Sequence, residues 1–408
     1  MTERLNIAFF TNTYYPWISG VVRSVSLFRR ALSDLGNNVF VFAQNADNYS
    51  DQEPFIFRYP ALSLSWPADV SAVIPISPAV DYLLPSLKLN VIHAHHPILL
   101  GRTAANKASE LNLPLVFTFH SQYAEYSQYI PLNKETIQDF IKQLIGKWLG
   151  DFMQKCNHIV VPTASMLEHL QEEFDIRERV SVVPTGIEVE RFQNADGQSI
   201  RQRHGWQDEI IMISVGRLSP EKNWKRLIEA SSKAMADHPS LRLVLVGDGP
   251  EREKLERYVQ KLDVTQRVTF IGALSYDEIP AYLKAADLFG FASTAETQGL
   301  VTMEAVAAGL PVVAVDAVGT RDNVKNNYTG ILTKNNSYSL SNAISSLLSQ
   351  PEMMNQLRMN AADQAKEFDI AYQAQKLLNV YQEAAEDFRA GQTVILHRSK
   401  KLFSFSSS

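Results

Sequence analysis

Short apolar, β-branched runs alternate with amphipathic stretches of helical spacing along almost the whole chain, and the alternation starts afresh near its middle. Strands joined by helical crossovers pair in parallel, and a parallel sheet needs helices on both faces. The first series of predicted strands is Leu5–Thr11, Asn38–Ala43, Val91–Ala94, Pro114–Phe119, His158–Pro162 and Ser181–Val183. The second is Ile210–Val215, Leu241–Gly247, Val268–Gly272, Leu288–Ala292 and Pro311–Val315, with helices expected at Lys222–Asp237, Glu251–Leu262 and Leu300–Ala308. This spacing predicts two open α/β sheets rather than one very wide sheet. Turn residues in Val183-Pro-Thr-Gly-Ile-Glu188, followed by the polar run Gln193–Gln198, place the hinge between them. The expected division is 1–190, 191–370, a final helix at 371–389 packing back on the first domain, and a disordered tail at 390–408, which is small and polar.

A chain of 408 residues with 45% hydrophobic content fills a core in each of two domains. Its formal net charge of −5 argues against a nucleic-acid partner, which would call for a basic surface. The single cysteine, Cys156, permits neither an internal disulfide nor a multi-cysteine zinc site, and a cytoplasmic location is expected. No stretch reaches the roughly 18 uninterrupted apolar residues of a membrane span, so any membrane contact is expected to be peripheral.

The segment most informative about chemistry is Glu296-Thr-Gln-Gly-Leu-Val-Thr-Met-Glu304. Here a strand leads through Gly299 into a helix, so the N–H groups of Leu300, Val301 and Thr302 are expected to point from a positive helix end, where a diphosphate fits. Glu304, one turn further in, has the reach to accept both hydroxyls of a ribose, and Glu296 to meet a sugar. Taken singly, either glutamate fits an ordinary loop or helix face as well. Positive charge to meet the diphosphate lies in Val215-Gly-Arg-Leu-Ser-Pro-Glu-Lys-Asn223, where Arg217 and Lys222 follow a strand at its carboxyl end. Fixed cations there stabilise the leaving phosphate as the glycosidic bond breaks. Gly20, after the first strand, would let a ligand approach the backbone; the loop lacks the three-glycine dinucleotide fingerprint. Gly247, in Val246-Gly-Asp-Gly-Pro, reads either as lining for a nucleotide base or as a plain turn. Histidines cluster in His93-Ala-His-His96 and at His120, without the third well-placed ligand a zinc site needs and without an Asp-x-Asp pair elsewhere, so no metal is expected. His120 reads as a hydrogen-bonding or proton-handling group facing a reacting sugar, or as a structural histidine.

As a set, Ser19-Gly20-Val-Val, Ile92-His-Ala-His, Thr118-Phe-His120, Val183-Pro-Thr-Gly186, Gly216-Arg217 with Glu221-Lys222-Asn, Gly247-Asp-Gly-Pro and two glutamates separated by seven residues resemble the retaining glycosyltransferases of family 4. The resemblance runs from about Asn6 to Tyr381. It implies the GT-B fold, two Rossmann-like domains facing across a cleft, with the nucleotide held mainly by the second and no metal required. It assigns Arg217 and Lys222 to the diphosphate, Glu304 to the ribose, Glu296 to the donor sugar, Gly20 to a loop over the phosphates and His120 to the sugar. Retention in the family is explained by front-face attack, in which the leaving phosphate takes the acceptor's proton.

The run from Thr118 to Pro131, with Tyr123 and Tyr126, is similar to that of diacylglycerol glucosyltransferases, as is Ile18-Ser-Gly-Val-Val-Arg-Ser-Val. A lipid acceptor and UDP-glucose as donor are therefore expected, with His96, Tyr123 and Tyr126 on the acceptor side. The other readings are a soluble or polyprenyl-linked sugar acceptor, and a nucleotide-sugar binding module without turnover. One apolar stripe, Ile137, Phe140, Ile141, Leu144, Ile145, Trp148 and Phe152, lies near Lys134, Lys142, Lys147 and Lys155; it suits either an anionic lipid surface or a core-facing helix. The stretch Trp66–Leu87 offers greasy contact or an acceptor-site loop. Residues 1–190 carry 14 Lys and Arg against 19 Asp and Glu, so any attraction to a membrane would have to be a local patch.

Overall fold

The computed structural model describes residues 4–63, 71–120 and 135–397. The chain forms two compact units, one running to Gly186 and resuming at Ala371, the other spanning Ile187–Ile370.

In the first unit β1 (Asn6–Thr11), β2 (Asn38–Gln44), β3 (Ile56–Tyr59), β6 (Val91–Ala94), β7 (Leu115–Thr118), β8 (His158–Val161) and β9 (Val180–Val182) form a parallel sheet in the order β3-β2-β1-β6-β7-β8-β9. A two-stranded antiparallel ribbon, β4 (Ala61–Ser63) with β5 (Ser71–Val73), stands apart from it. β1 is central and buried: Ile7, Ala8, Phe9 and Phe10 are all closed to solvent, as the unbroken apolar run of a doubly covered strand demands.

The second unit is a parallel sheet of β10 (Ile210–Val215), β11 (Leu241–Val246), β12 (Val268–Gly272), β13 (Leu288–Phe291), β14 (Val312–Val315) and β15 (Gly330–Thr333), in the order β12-β11-β10-β13-β14-β15. Strand order reverses between β10 and β13, and in the first unit between β1 and β6. In an open α/β sheet the crevice beyond the carboxyl ends of such a strand pair is where ligands collect.

The structure departs from the sequence expectations at several points. β3, the β4–β5 ribbon and β15 were not expected: Arg58 interrupts the apolar run of β3, and Gly330 opens β15 where an added Cβ would meet Val312 O at 2.1 Å. The helix expected from Lys222 begins at Trp224, after a separate 3₁₀ turn over Pro220–Lys222. The unit boundary falls before Ile187 rather than after residue 190. Ile187 is fully buried in the second unit's core, its N–H donating to Phe368 O at 2.8 Å and its carbonyl accepting from Ile370 N–H at 3.0 Å. The helix Ile370–Arg389 serves the first unit: Tyr381 is 2% exposed and its hydroxyl lies 2.8 Å from His93 Nδ1. The tail is ordered over residues 390–397, and 398–408 lie outside the described residues: Val394 is 2% exposed and donates its N–H to Cys156 O at 2.8 Å, and Leu396 bridges Ile176. Composition averaged over 390–408 concealed the apolar run Val394-Ile395-Leu396, which has a hydrophobic surface to cover.

Val394→Asp is therefore expected to destabilise the first unit by about 2–4 kcal/mol, because it buries a charge without a partner. Urea unfolding followed by tryptophan fluorescence and far-ultraviolet circular dichroism measures it; an unchanged midpoint would show that the tail contributes nothing.

Candidate functional site

In the second unit four strand-end loops gather around the switch point. The loop after β10 is zipped to the loop after β11: Gly216 N–H donates to Val246 O at 2.9 Å, Leu218 N–H to Asp248 O at 2.9 Å and Glu251 N–H to Leu218 O at 3.0 Å. An added Cβ at Gly247 would meet Gly216 O at 1.9 Å, and one at Gly249 would meet Leu218 O at 2.5 Å. Gly247 thus serves a close backbone approach, which explains the glycines without a base pocket. Trp224, 2% exposed, closes the turn by donating from Nε1 to Arg217 O at 2.8 Å.

The same β10 loop is tied to the loop after β13. Asn223 Nδ2 donates to Ala292 O at 3.2 Å, and Lys222 Nζ lies 2.5 Å from Glu296 Oε1, with side-chain exposures of 21% and 11%. Spacing alone gave no sign of this ion pair, because its members are 74 residues apart. Arg217 is exposed, and its guanidinium has no hydrogen-bond or ion-pair partner among the described residues.

Beyond Glu296 the chain turns through Gly299, at φ +72°, into the helix Leu300–Ala307. The left-handed cap tightens the first turn, so Thr302 donates both its N–H, at 2.9 Å, and its Oγ1, at 2.7 Å, to Gly299 O. Thr302 therefore offers no free N–H to a ligand, contrary to the sequence expectation. The helix geometry leaves the N–H groups of Leu300 and Val301 without a partner inside the helix. Behind the turn Asn323, 3% exposed, donates from Nδ2 to Gln298 O, to Gly299 O at 3.2 Å and to Thr302 Oγ1 at 3.0 Å. Gly319, on the loop after β14, lies against Glu296: an added Cβ would come 2.9 Å from both Glu296 Cβ and its carbonyl oxygen. Sequence reasoning missed Asn323 and Gly319, although a strand-end glycine after β14 repeats the pattern of Gly216 and Gly247. Glu304 lies within the helix and is 1% exposed.

In the first unit the loops after β1 and β6 flank the other switch point. His96 is half-buried, and its Nδ1 accepts from Asn12 N–H at 3.1 Å, which fixes the proton of the neutral ring on Nε2. Gly20 begins the helix Gly20–Asp34, which Ser19 caps by accepting from Val22 N–H at 3.2 Å; an added Cβ at Gly20 would meet nothing within 4 Å. No neighbour among the described residues requires glycine there. Arg58, which the sequence reading did not single out, braces the preceding loop by donating to Tyr15 O at 2.7 Å while gripping Asp51 at 2.5 Å.

His93, His95 and His120 form a stacked column with ring centroids 4.3 and 5.2 Å apart. His93 is held by Tyr381 OH at 2.8 Å and Thr118 Oγ1 at 2.7 Å; His95 Nδ1 lies 2.9 Å from His120 Nε2. Burial pushes His93 down to about 3 and His96 to about 4, and drives His95 and His120 well below the ordinary imidazole value, with neighbouring histidines adding to the effect on the last two. All four are neutral near pH 7. Among the described residues no group of three or more His, Cys, Asp or Glu side chains is placed to hold a metal ion. Tyr123 and Tyr126 lie outside the described residues. Of the apolar stripe on the helix Glu135–Met153, Phe152 is buried, Ile145 and Trp148 are half-buried and Leu144 is 58% exposed; the side chains of Ile137, Phe140, Ile141, Lys134 and Lys142 lie outside the described set. Trp66 to Val70 likewise lie outside it. Among the described residues no helix is long and apolar enough to cross a membrane.

Two family descriptions match the chain: "Glycosyltransferase Family 4" over residues 18–191 and "Glycosyl transferases group 1" over residues 196–364. The alpha-monoglucosyldiacylglycerol synthase of Streptococcus pneumoniae is 31% identical over 320 residues, 76% of this chain and 71% of that protein. The synthase of the same name from Acholeplasma laidlawii is 28% identical over 76% of this chain and 80% of its own length. The D-inositol 3-phosphate glycosyltransferase of Nocardia farcinica is also 28% identical, over 74% of this chain and 68% of that protein. Among solved structures, Anabaena HepE in complex with UDP superposes with a TM-score of 0.73 at 21% identity, covering 92% of this chain and 99% of that one. Sucrose-phosphate synthase from Thermosynechococcus elongatus gives 0.75 at 22%, covering 95% and 100%.

Two outcomes are expected. Lys222→Met leaves the Glu296 carboxylate largely buried without its cation and costs about 1–3 kcal/mol, whereas the double variant with Glu296→Gln recovers most of that; denaturant midpoints decide, and equal losses in the two variants would deny the coupling. The second concerns acid. With folded values of about 3 and 4 for His93 and His96 against 6.5 unfolded, the unfolded chain binds more protons through that window. Stability of the first unit is therefore full above pH 6.5 and falls as pH drops towards 4. His93→Gln should flatten the slope of urea midpoint against pH, and a slope identical to wild type would contradict the burial argument.

Proposed function

The chain belongs to glycosyltransferase family 4, and on that premise we propose that it moves a glucosyl group from UDP-glucose to diacylglycerol or a related lipid, with retention of the anomeric configuration. The observation that carries the donor half is the Lys222–Glu296 pair beside the first-turn N–H groups of Leu300 and Val301, which have no partner inside the helix. In this reading the diphosphate takes the place of the Glu296 carboxylate on the Lys222 ammonium. It also draws on the exposed Arg217 and on the helix end. Glu296, released from Lys222, turns to the sugar hydroxyls, and Glu304 takes the ribose hydroxyls. Gly20, with nothing within 4 Å of where a Cβ would stand, is assigned to the phosphates.

The acceptor hydroxyl oxygen bonds to the anomeric carbon from the face the diphosphate is leaving. As the carbon–oxygen bond to the β-phosphate breaks, the acceptor's proton passes to that phosphate. Negative charge grows on the leaving group along this path, so the fixed cations act most strongly in the transition state. No metal is required, because Arg217, Lys222 and two backbone donors supply the positive field. His120 is neutral and contributes a hydrogen bond to the sugar rather than a charge.

The lipid half rests on the two alpha-monoglucosyldiacylglycerol synthases among the relatives and on exposed apolar side chains of the first unit, Ile18, Tyr82 and Leu144. His96, Tyr123 and Tyr126 are assigned to the acceptor, and the protein works peripherally on a cytoplasmic membrane face. A second reading, a soluble phosphorylated polyol acceptor, is favoured by the D-inositol 3-phosphate glycosyltransferase of Nocardia farcinica among the relatives.

Incubation of purified protein with radiolabelled UDP-glucose and either diacylglycerol in mixed micelles or D-inositol 3-phosphate tests both. The reading requires an α-linked glucolipid, with no metal added and chelator present; product only from the polyol would move the chain to the second reading. Arg217→Ala should lower kcat/KM by about 10²–10³-fold while changing stability by less than about 0.5 kcal/mol, since its guanidinium has no partner among the described residues. A variant with normal turnover would remove Arg217 from the site.

A further inference from the structure

The transferase reading leaves His95 without a task. It is 1% exposed, stacked between His93 and His120, and bonded through Nδ1 to Nε2 of His120 at 2.9 Å. Its other nitrogen, Nε2, is buried and has no hydrogen-bond partner among the described residues. The ring of Phe9, with its centroid 4.8 Å away and inclined by 71°, offers only a weak π contact.

Two neutral imidazoles sharing one hydrogen bond have two arrangements. In one, His95 donates from Nδ1 and its orphaned Nε2 is a bare acceptor. In the other, His120 donates from Nε2, and His95 must carry its own proton on the orphaned nitrogen, a buried N–H facing nothing that accepts well. Buried donors without partners are much rarer than under-satisfied acceptors, because the unmet N–H forfeits its full hydration. The first arrangement wins.

We propose that His95 is a positioning residue: it donates from Nδ1 to Nε2 of His120 and so holds the His120 proton on Nδ1. With its Nε2 lone pair occupied, His120 meets the substrate as an N–H donor, and it abstracts no proton unless the His95 bond is given up. The proton of the acceptor hydroxyl is then left to the leaving phosphate. The consequence for turnover rests on the transferase reading; the tautomer is a property of the first unit alone.

Long-range ¹H–¹⁵N correlation on full-length protein labelled at histidine reads the tautomer directly, with the His120 signals identified by their loss in His120→Gln. The unliganded protein should carry the proton on Nδ1 of His120. In His95→Phe that preference should collapse to a mixture, and in His95→Asn, whose amide can donate from about the same place, it should return. In parallel, kcat should fall roughly tenfold in His95→Phe with the donor KM little changed, the scale of losing an orienting partner, and recover in His95→Asn. A wild-type His120 protonated on Nε2 overturns the proposal, as does an unaltered tautomer in a folded His95→Phe. Should His95→Phe not fold, the wild-type and His95→Asn spectra still decide. Absence of sugar transfer by the wild-type protein would instead defeat the transferase reading and leave the tautomer result standing.

Discussion

The 2.5 Å contact between Lys222 and Glu296 joins two loops that the fold brings out on either side of the point where strand order reverses. Both loops are otherwise committed to backbone packing. Gly247 and Gly249 let the β11 loop lie directly on the β10 loop, and Gly319 lets the β14 loop lie on Glu296. A cation and a carboxylate are thus held at short range by parts that cannot easily separate. A partly buried pair of this kind contributes little net stability, since both ions give up hydration to form it. Its positional consequence is larger: the Lys222 ammonium is held in place at the switch point by the packing of the loops around it.

The helix start beside that pair is fixed with similar economy of contact. Gly299 adopts a left-handed conformation that costs other residues about 1–2 kcal/mol, and Asn323 secures it by donating to the carbonyls around the turn. Gln364, 2% exposed, donates to Asn323 O at 2.9 Å and braces Asn323 in turn. The chain of amides runs from the core to the open N–H groups, so the geometry of the helix end is set from beneath. In the first unit the comparable support is aromatic and imidazole stacking, with Tyr381 reaching His93 from the carboxyl-terminal helix.

Much of the fold was legible because parallel strands buried on both faces leave unbroken apolar runs. Ile210–Val215 and Val268–Gly272 fall where the sequence puts them. β3 was illegible because Arg58 interrupts it, and that side chain turns out to brace the Tyr15 loop. The candidate site was legible only as residue types after strand ends: Gly216, Arg217, Lys222, Glu296 and Gly299 all sit on the two loops at the switch point. What could not be read was which of them touch. Lys222 and Glu296 are 74 residues apart, His93 and Tyr381 are 288 apart, and no local periodicity encodes either meeting. The Thr302 N–H illustrates a different limit: helix-end rules count it as open, and only the left-handed cap at Gly299 turns it inward.

Donor binding as proposed has the diphosphate displace Glu296 from Lys222 at the start of the Leu300 helix. A crystal structure of the protein with UDP tests this most directly. Phosphate oxygens are expected within hydrogen-bond distance of the N–H groups of Leu300 and Val301 and of Lys222 Nζ, with the Lys222–Glu296 contact broken. A diphosphate seated elsewhere, with that ion pair intact, would contradict it.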